Sequence, residues 1–240
     1  MERKKFLKSL SLFAASPLIL SACSKATDST TDDSDDDTTT VDTSCTATPS
    51  ETEGPFPTKS PSSYVRSDIR KGDGVGAAMT VVITIADLND SCNVLAGAIV
   101  DIWHCDVNGD YSQYGGTSMQ TNNYTSLNWL RGRQTTDSNG AVTFTTIFPG
   151  WYQSRATHVH AHIYNSSGTS LLVTQIAFDD DLCISVNTNG SDYGYTKGTS
   201  GYTYNADDNV FSDGYSKELS TVTGSLSAGF NLAITINVSA

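Results

Sequence analysis

Three histidines stand at alternate positions in Thr157-His158-Val159-His160-Ala161-His162, and the chain has only one other, His104. On an extended strand alternate side chains share a face, so the three imidazoles line one side. Neutral imidazole is the commonest metal ligand, and this spacing points to a metal site. Which metal depends on the remaining donors. Two His completed by a nearby Glu is excluded, because no Glu occurs between Glu53 and Glu218. A ferrous facial triad needs a carboxylate beside two His. Asp179, Asp180 and Asp181 could supply one, but three consecutive Asp after a strand read as a turn. A zinc site made of His158, His160 and His162 meets a problem of reach, since three same-face residues spread over roughly 13 Å of strand. His162 is therefore expected to pack beside a site rather than ligate.

Tyrosine offers another donor. Tyr111 lies in Trp103-His104-Cys105-Asp106-Val107-Asn108-Gly109-Asp110-Tyr111-Ser112, just past a strand. Tyr152 ends Phe148-Pro149-Gly150-Trp151-Tyr152, in the turn leading to the histidine strand, and Arg155-Ala156-Thr157-His158-Val159-His160 follows. In this order the segments resemble the intradiol ring-cleavage dioxygenases, where W-x-x-x-x-x-G-x-Y-S and P-x-x-Y give two Tyr ligands and R-x-x-H-x-H gives two His ligands. Thr52-Glu53-Gly54-Pro55-Phe56 resembles the family's substrate-side Gly-Pro segment. Leu130-Arg131-Gly132-Arg133 with Thr136-Asp137-Ser138-Asn139-Gly140 resembles its strand-turn-strand core. Thr174-Gln175-Ile176 resembles the strand that carries an active-site Gln. The likeness covers nearly all of residues 45–240.

The resemblance implies a site for iron(III) made of Tyr111, Tyr152, His158 and His160, acting on a catechol and O2. Phenolates are hard anionic donors that suit a trivalent ion. The family's pattern makes Tyr152 the ligand that a bound catechol displaces. Arg155 would stabilise negative charge developing at the substrate, Gln175 would orient substrate or oxygen, and Gly54 and Pro55 would flank the substrate. Outside that context, Tyr111 and Tyr152 read as core-edge tyrosines; Arg131 and Arg133 could face a substrate, but strand-surface arginine is the commoner case. Trp103 and Trp151 are expected to pack around the site, and His104 to be structural. Two rival readings are a tethered β-sandwich binding module without activity, and a zinc or copper protein using the three strand histidines. The catechol-specific branch of the family carries a helical dimerisation region for which this N-terminus leaves no room, so neither substrate nor oligomeric state is carried over.

The elements that must position these residues are strands. Met79–Ile85, Ala98–Trp103, Ala141–Ile147, His158–Tyr164, Leu171–Phe178 and Leu232–Val238 are rich in β-branched and aromatic residues and are separated by Gly, Asn, Asp and Ser. Short strands with such turns predict an all-β sandwich. Helical periodicity is scarce, and residues 187–214 read as a long surface loop with room for one short strand.

Residues 1–22 read as a lipoprotein signal peptide. Arg3, Lys4, Lys5 and Lys8 precede an apolar run from Leu10 to Leu20, too short to span a bilayer. Leu20-Ser21-Ala22-Cys23 resembles a lipobox, which makes Cys23 the lipidated residue and the membrane a partner through that anchor, on a bacterial envelope. Lys4 stands where a twin-arginine signal has its second Arg, which leaves the export route open. Residues 23–49 are Ser, Thr and Asp with few apolar side chains and read as a disordered tether. Residues 50–240 are then the catalytic domain. The tether's aspartates supply much of the net charge of -12. That acidity argues against nucleic-acid binding, which wants a basic face. Cys45, Cys92, Cys105 and Cys183 allow three disulfide connectivities. Cys92 and Cys105 would lie at opposite ends of a strand about 20 Å long, too far apart to bridge.

Overall fold

Met79, Val81, Ile83 and Ile85 are all buried, and they alternate with partly buried neighbours along a single strand. That period of two recurs through the computed structural model, which describes residues 45–240. In chain order the elements are β1 (Ala78–Asp87), β2 (Asn93–Val94), β3 (Ile99–Trp103), β4 (Arg131–Thr135), β5 (Ala141–Ile147), β6 (His158–Tyr164), β7 (Ser170–Ala177), α1 (Asp180–Asn189), β8 (Thr221–Ser225) and β9 (Gly229–Val238). Each of the six expected strands is present. β2 and β8 are short or exposed pieces with no apolar run to announce them.

Two sheets form a sandwich. In the first, the order is β2-β1-β9-β8, with β5 also paired to β1. β1 is parallel to β9 and antiparallel to β5. In the second, the order is β4-β3-β6-β7, all antiparallel. One apolar core joins them: Ile83, Val81, Phe144 and Leu232 from the first sheet cluster with Val100, Ile102, Val159, Ala161 and Ile163 from the second. On β6 the odd-numbered residues therefore face the core, and the histidines face the other way. Burying these side chains is the main driving force, at roughly 1.5–3 kcal/mol for each Val, Leu, Ile or Phe.

Two expectations need correction. Asp179 to Asp181 do not form a simple turn: they start α1. The Asp179 carboxylate accepts from the Leu182 N–H at 2.8 Å, and Asp180 and Asp181 fill the first turn. Acidic residues there satisfy free N–H groups and match the helix dipole. The helix buries only Cys183, Val186 and Asn187, so it left little apolar period to read. The stretch 187–214 contains no strand. It holds the end of α1 and three single 3-10 turns, and it buries Tyr195, Asn205, Asp208 and Phe211.

Cys45 and Cys92 form a disulfide, while Cys105 and Cys183 are free and buried. The Thr48 N–H also donates to the Asn237 carbonyl at 3.2 Å. Cys45 and Thr48, which precede the expected domain start at residue 50, are thus tied to the sandwich. The signal peptide, Cys23 and most of the tether lie outside the described residues.

Candidate metal centre

The register of the second sheet builds one wall of the site. Arg131 pairs with Trp103, Trp103 with His160, and His160 with Gln175. These four residues make a row across β4, β3, β6 and β7 on the face turned from the core. The His160 ring stacks on Trp103 with centroids 4.8 Å apart and planes within 2°. His158 lies one step along the same face.

Two loops bring in the tyrosines. After β3, Asp106 organises a tight turn: its carboxylate accepts from the N–H groups of Asn108 and Asp110, and Lys71 pairs with it at 3.0 Å. Gly109 sits at φ 91°, and a Cβ there would lie 2.4 Å from the Trp151 carbonyl oxygen. Only glycine permits both the angle and the approach. The turn delivers Tyr111, whose backbone N–H donates to Gln120 Oε1 at 2.7 Å. Tyr152 comes from the 148–157 connection into β6.

The four side chains converge. Both phenol oxygens lie 3.4 Å from His158 Nε2, and His158 Nε2 lies 3.1 Å from His160 Nε2. Tyr111, His158 and His160 are buried, while Tyr152 is partly exposed. His158 Nδ1 bonds the Ala156 carbonyl at 2.7 Å, which puts its proton on Nδ1 and leaves a lone pair on Nε2. That lone pair faces a second imidazole nitrogen and two phenol oxygens. His160 Nδ1 is buried without a hydrogen-bond partner. Two imidazole nitrogens and two phenol oxygens aimed at one point suit a cation better than they suit each other. Burial pushes both histidine pKa values well below the ordinary value, and Arg155 adds to the effect. Burial likewise raises both tyrosines, Tyr111 strongly. A cation at the shared point would reverse the preference of the phenols. Among the described residues, no three His, Cys, Asp or Glu side chains are grouped to hold a metal. This centre draws half its donors from Tyr.

His162 is outside the cluster. Its nitrogens are hydrogen-bonded to Glu53 at 3.1 Å, Ser170 at 2.8 Å and Tyr164 at 2.9 Å. A three-histidine zinc or copper site thereby loses its third ligand. His104 is buried between the Cys105 carbonyl and Thr146, a structural placement.

Around the donors, Arg155 Nη1 lies 3.4 Å from the Tyr152 oxygen. Its Nε donates to Asp208 at 2.9 Å, and its Nη2 donates to Gln175 Oε1. Gln175 Nε2 in turn donates to the Thr52 carbonyl at 2.8 Å. Gly54, at φ 66°, lies so close to the His160 ring that a Cβ would sit 3.1 Å from Cε1. Pro55 is exposed beside it. Phe56 stacks on Tyr111 at 4.8 Å. Residues 52–58 therefore form an arm that covers the centre. Trp151 packs next to Tyr152 against Tyr202 and Lys197.

Sequence reasoning missed Asp208 and misplaced Arg131. Asp208 lies in the long 190–218 segment and carried no local signal. Arg131 is not a surface arginine: it is fully buried.

A β-sandwich carrying a mixed Tyr and His centre on the outer face of one sheet is the class defined by fold and site. Residues 53–191, more than half of the chain, match the family model described as dioxygenase. Among solved structures the chain is similar to an intradiol ring-cleavage dioxygenase from Tetranychus urticae, at 29% identity and a TM-score of 0.69, with 81% of this chain and 95% of that chain covered. The dioxygenase domain of a carbohydrate-binding fusion from Streptomyces sp. SirexAA-E has the same fold at 23% identity and a TM-score of 0.55, covering 81% and 99%. So has 3-chlorocatechol 1,2-dioxygenase from Rhodococcus opacus 1CP, at 20% identity and 0.54, covering 80% and 72%. No curated protein sequence matches. The chain belongs to the intradiol ring-cleavage dioxygenase family.

Proposed function

We propose that the protein is a non-haem iron(III) dioxygenase that opens the ring of a catechol-type aromatic between its two hydroxylated carbons. Both atoms of O2 end in the ring-opened dicarboxylic product. Tyr111, Tyr152, His158 and His160 would hold the iron. Bound iron(III) supplies a Lewis acid that makes a chelated catecholate reactive toward O2. The convergence of two phenol oxygens and two imidazole nitrogens is the observation that carries the reading.

The protein's own groups divide the remaining work. Tyr152 is the partly exposed donor, so it is the one free to exchange with substrate. Its freed oxygen can take a proton from the incoming catechol, which is general-base work. Arg155 stays beside that oxygen and is fixed by Asp208, so its charge is preorganised rather than recruited. Tyr111, wholly buried, remains in place. The arm at Gly54 to Phe56 and the bonded pair Gln175 and Arg155 restrict where an aromatic ring can lie.

Oxygen uptake by the iron-loaded protein over a panel of catechols tests the proposal. One O2 consumed per catechol, with loss of the aromatic ring, is expected. No uptake with any catechol would favour a binding module instead.

We also propose that residues 1–22 direct export and that Cys23 is lipidated, so that the enzyme meets its substrate at the cell envelope. Incorporation of labelled palmitate, abolished in Cys23→Ser, is expected. Incorporation that persists in that variant would reject the anchor.

A further inference from the structure

Arg131 opens β4 and stands at the end of the row that contains Trp103, His160 and Gln175. It is fully buried, yet every partner it has is neutral. Nε donates to Ser112 Oγ at 2.9 Å and Nη2 to the Ser112 carbonyl at 2.6 Å. Nη1 donates to the Phe56 carbonyl at 3.0 Å and to Thr58 Oγ1 at 3.1 Å. Among the described residues it makes no ion pair; the buried carboxylates nearby pair with other arginines, Asp101 with Arg133 and Asp208 with Arg155. Its Cζ lies 5.9 Å from the Tyr111 ring centre and 5.5 Å from that of Tyr114. A buried, unpaired charge is expensive to keep.

We propose that Arg131 is a positioning residue for Tyr111, binding the loop that carries this tyrosine to the arm that covers the centre and holding a positive charge against its ring. The proposal rests on the reading of Tyr111 as an iron ligand. The guanidinium spans two segments with no regular hydrogen-bond ladder between them. One side of its fork holds Ser112, the neighbour of Tyr111. The other side holds Phe56 and Thr58, and Phe56 stacks on the Tyr111 ring with 26° between the planes. Lysine cannot reproduce a planar fork with donors to both sides. An anionic oxygen on Tyr111 would feel the uncompensated charge, which lowers the energy of its electrons.

Arg131→Met and Arg131→Lys in the full chain test this. In iron-loaded protein, the tyrosinate charge-transfer band of Arg131→Met should move to longer wavelength, because electrons on Tyr111 are then less tightly held. Its kcat should fall by about 10- to 100-fold with a smaller change in KM, as expected for a misplaced reacting group. Arg131→Lys should keep the band nearer wild type, since it keeps the charge, but should not restore kcat. Hydrogen exchange of the metal-free protein supplies a readout independent of iron. The Lys59 amide, which closes the arm onto Gln113 Oε1 of the loop, and the Gln113 amide, which donates within the loop to the Tyr124 and Leu127 carbonyls, should exchange about tenfold faster or more in both variants, the loss of one charge-assisted hydrogen bond. If Arg131→Met does not fold, Arg131→Lys carries the test. An unchanged band together with unchanged exchange would overturn the proposal. A wild-type protein that binds no iron would instead sink the iron reading, and the exchange result would still decide whether Arg131 clamps the arm.

Discussion

The two sheets of the sandwich are built from opposite materials. The first buries apolar side chains on β1, β5 and β9, and its buried polar group is Thr146. The second buries Asp101, Arg131, His158, His160, Thr174 and Gln175. Its core side is as apolar as that of its partner, but its far side is a polar layer roofed by the arm and the long loops. Buried polar groups cost free energy unless each is paired. The first sheet is thus a platform for stability. The second spends some of that stability on a preorganised centre.

Removing one member of a buried ion pair tests this division most severely. Asp208→Asn leaves the Arg155 guanidinium without its carboxylate and should destabilise the protein by about 3–5 kcal/mol, read from denaturant unfolding. A loss below about 1 kcal/mol, the range of exposed pairs, would mean that the polar layer over the second sheet does not depend on its pairing.

In the first sheet, Ile83→Ala should cost about 2–4 kcal/mol through the cavity it opens. The visible spectrum of the iron-loaded, folded protein should not change, because Ile83 lies in the core cluster and not in the aromatic cluster around Tyr111. A spectral shift in Ile83→Ala would break the separation of the two layers.

A gentler probe is pH. Glu218 is fully buried and bonded to Thr174 at 2.8 Å, and burial pushes its pKa up to about 8. Glu51, just before the arm, is raised to about 7 by burial and by Asp213. Both groups hold protons in the folded chain that the unfolded chain releases near the ordinary value of 4.5. Their contribution to stability should therefore be full below that value, fall as pH rises, and level off above about 8, while the buried neutral histidines His104, His158 and His160 contribute with the opposite sign below their ordinary value of 6.5. The urea midpoint of the wild type relative to Glu218→Gln should fall across that window, since the histidine contribution is common to both. A midpoint that rises with pH in the wild type and not in the variant would reverse the assignment. The smallest effect expected is Asp179→Ala, which removes the cap of α1 and should cost about 1 kcal/mol with no change in the centre. A changed visible spectrum would tie α1 to the site after all.

The same contrast explains what could be read from the sequence. The first sheet was legible because alternation is a local property of Met79 to Ile85 and of Leu232 to Val238. The histidine face was legible for the same reason. Tyr111 and Tyr152 needed more: their positions relative to Gly109, Pro149 and Arg155, and the order of those segments along the chain. Asp208 was not legible, since its contact with Arg155 spans 53 residues and no local pattern marks it. Arg131 was misread because its burial comes from an arm far away in sequence. α1 was missed because it buries few side chains and is held by its Asp179 cap.

Metal content and the visible spectrum of the purified protein test the central claim most directly. An iron(III) centre held by Tyr111, Tyr152, His158 and His160 requires one iron per chain and broad visible absorption from tyrosinate-to-iron(III) charge transfer, shifted by Tyr152→Phe. A colourless protein carrying stoichiometric zinc would contradict it.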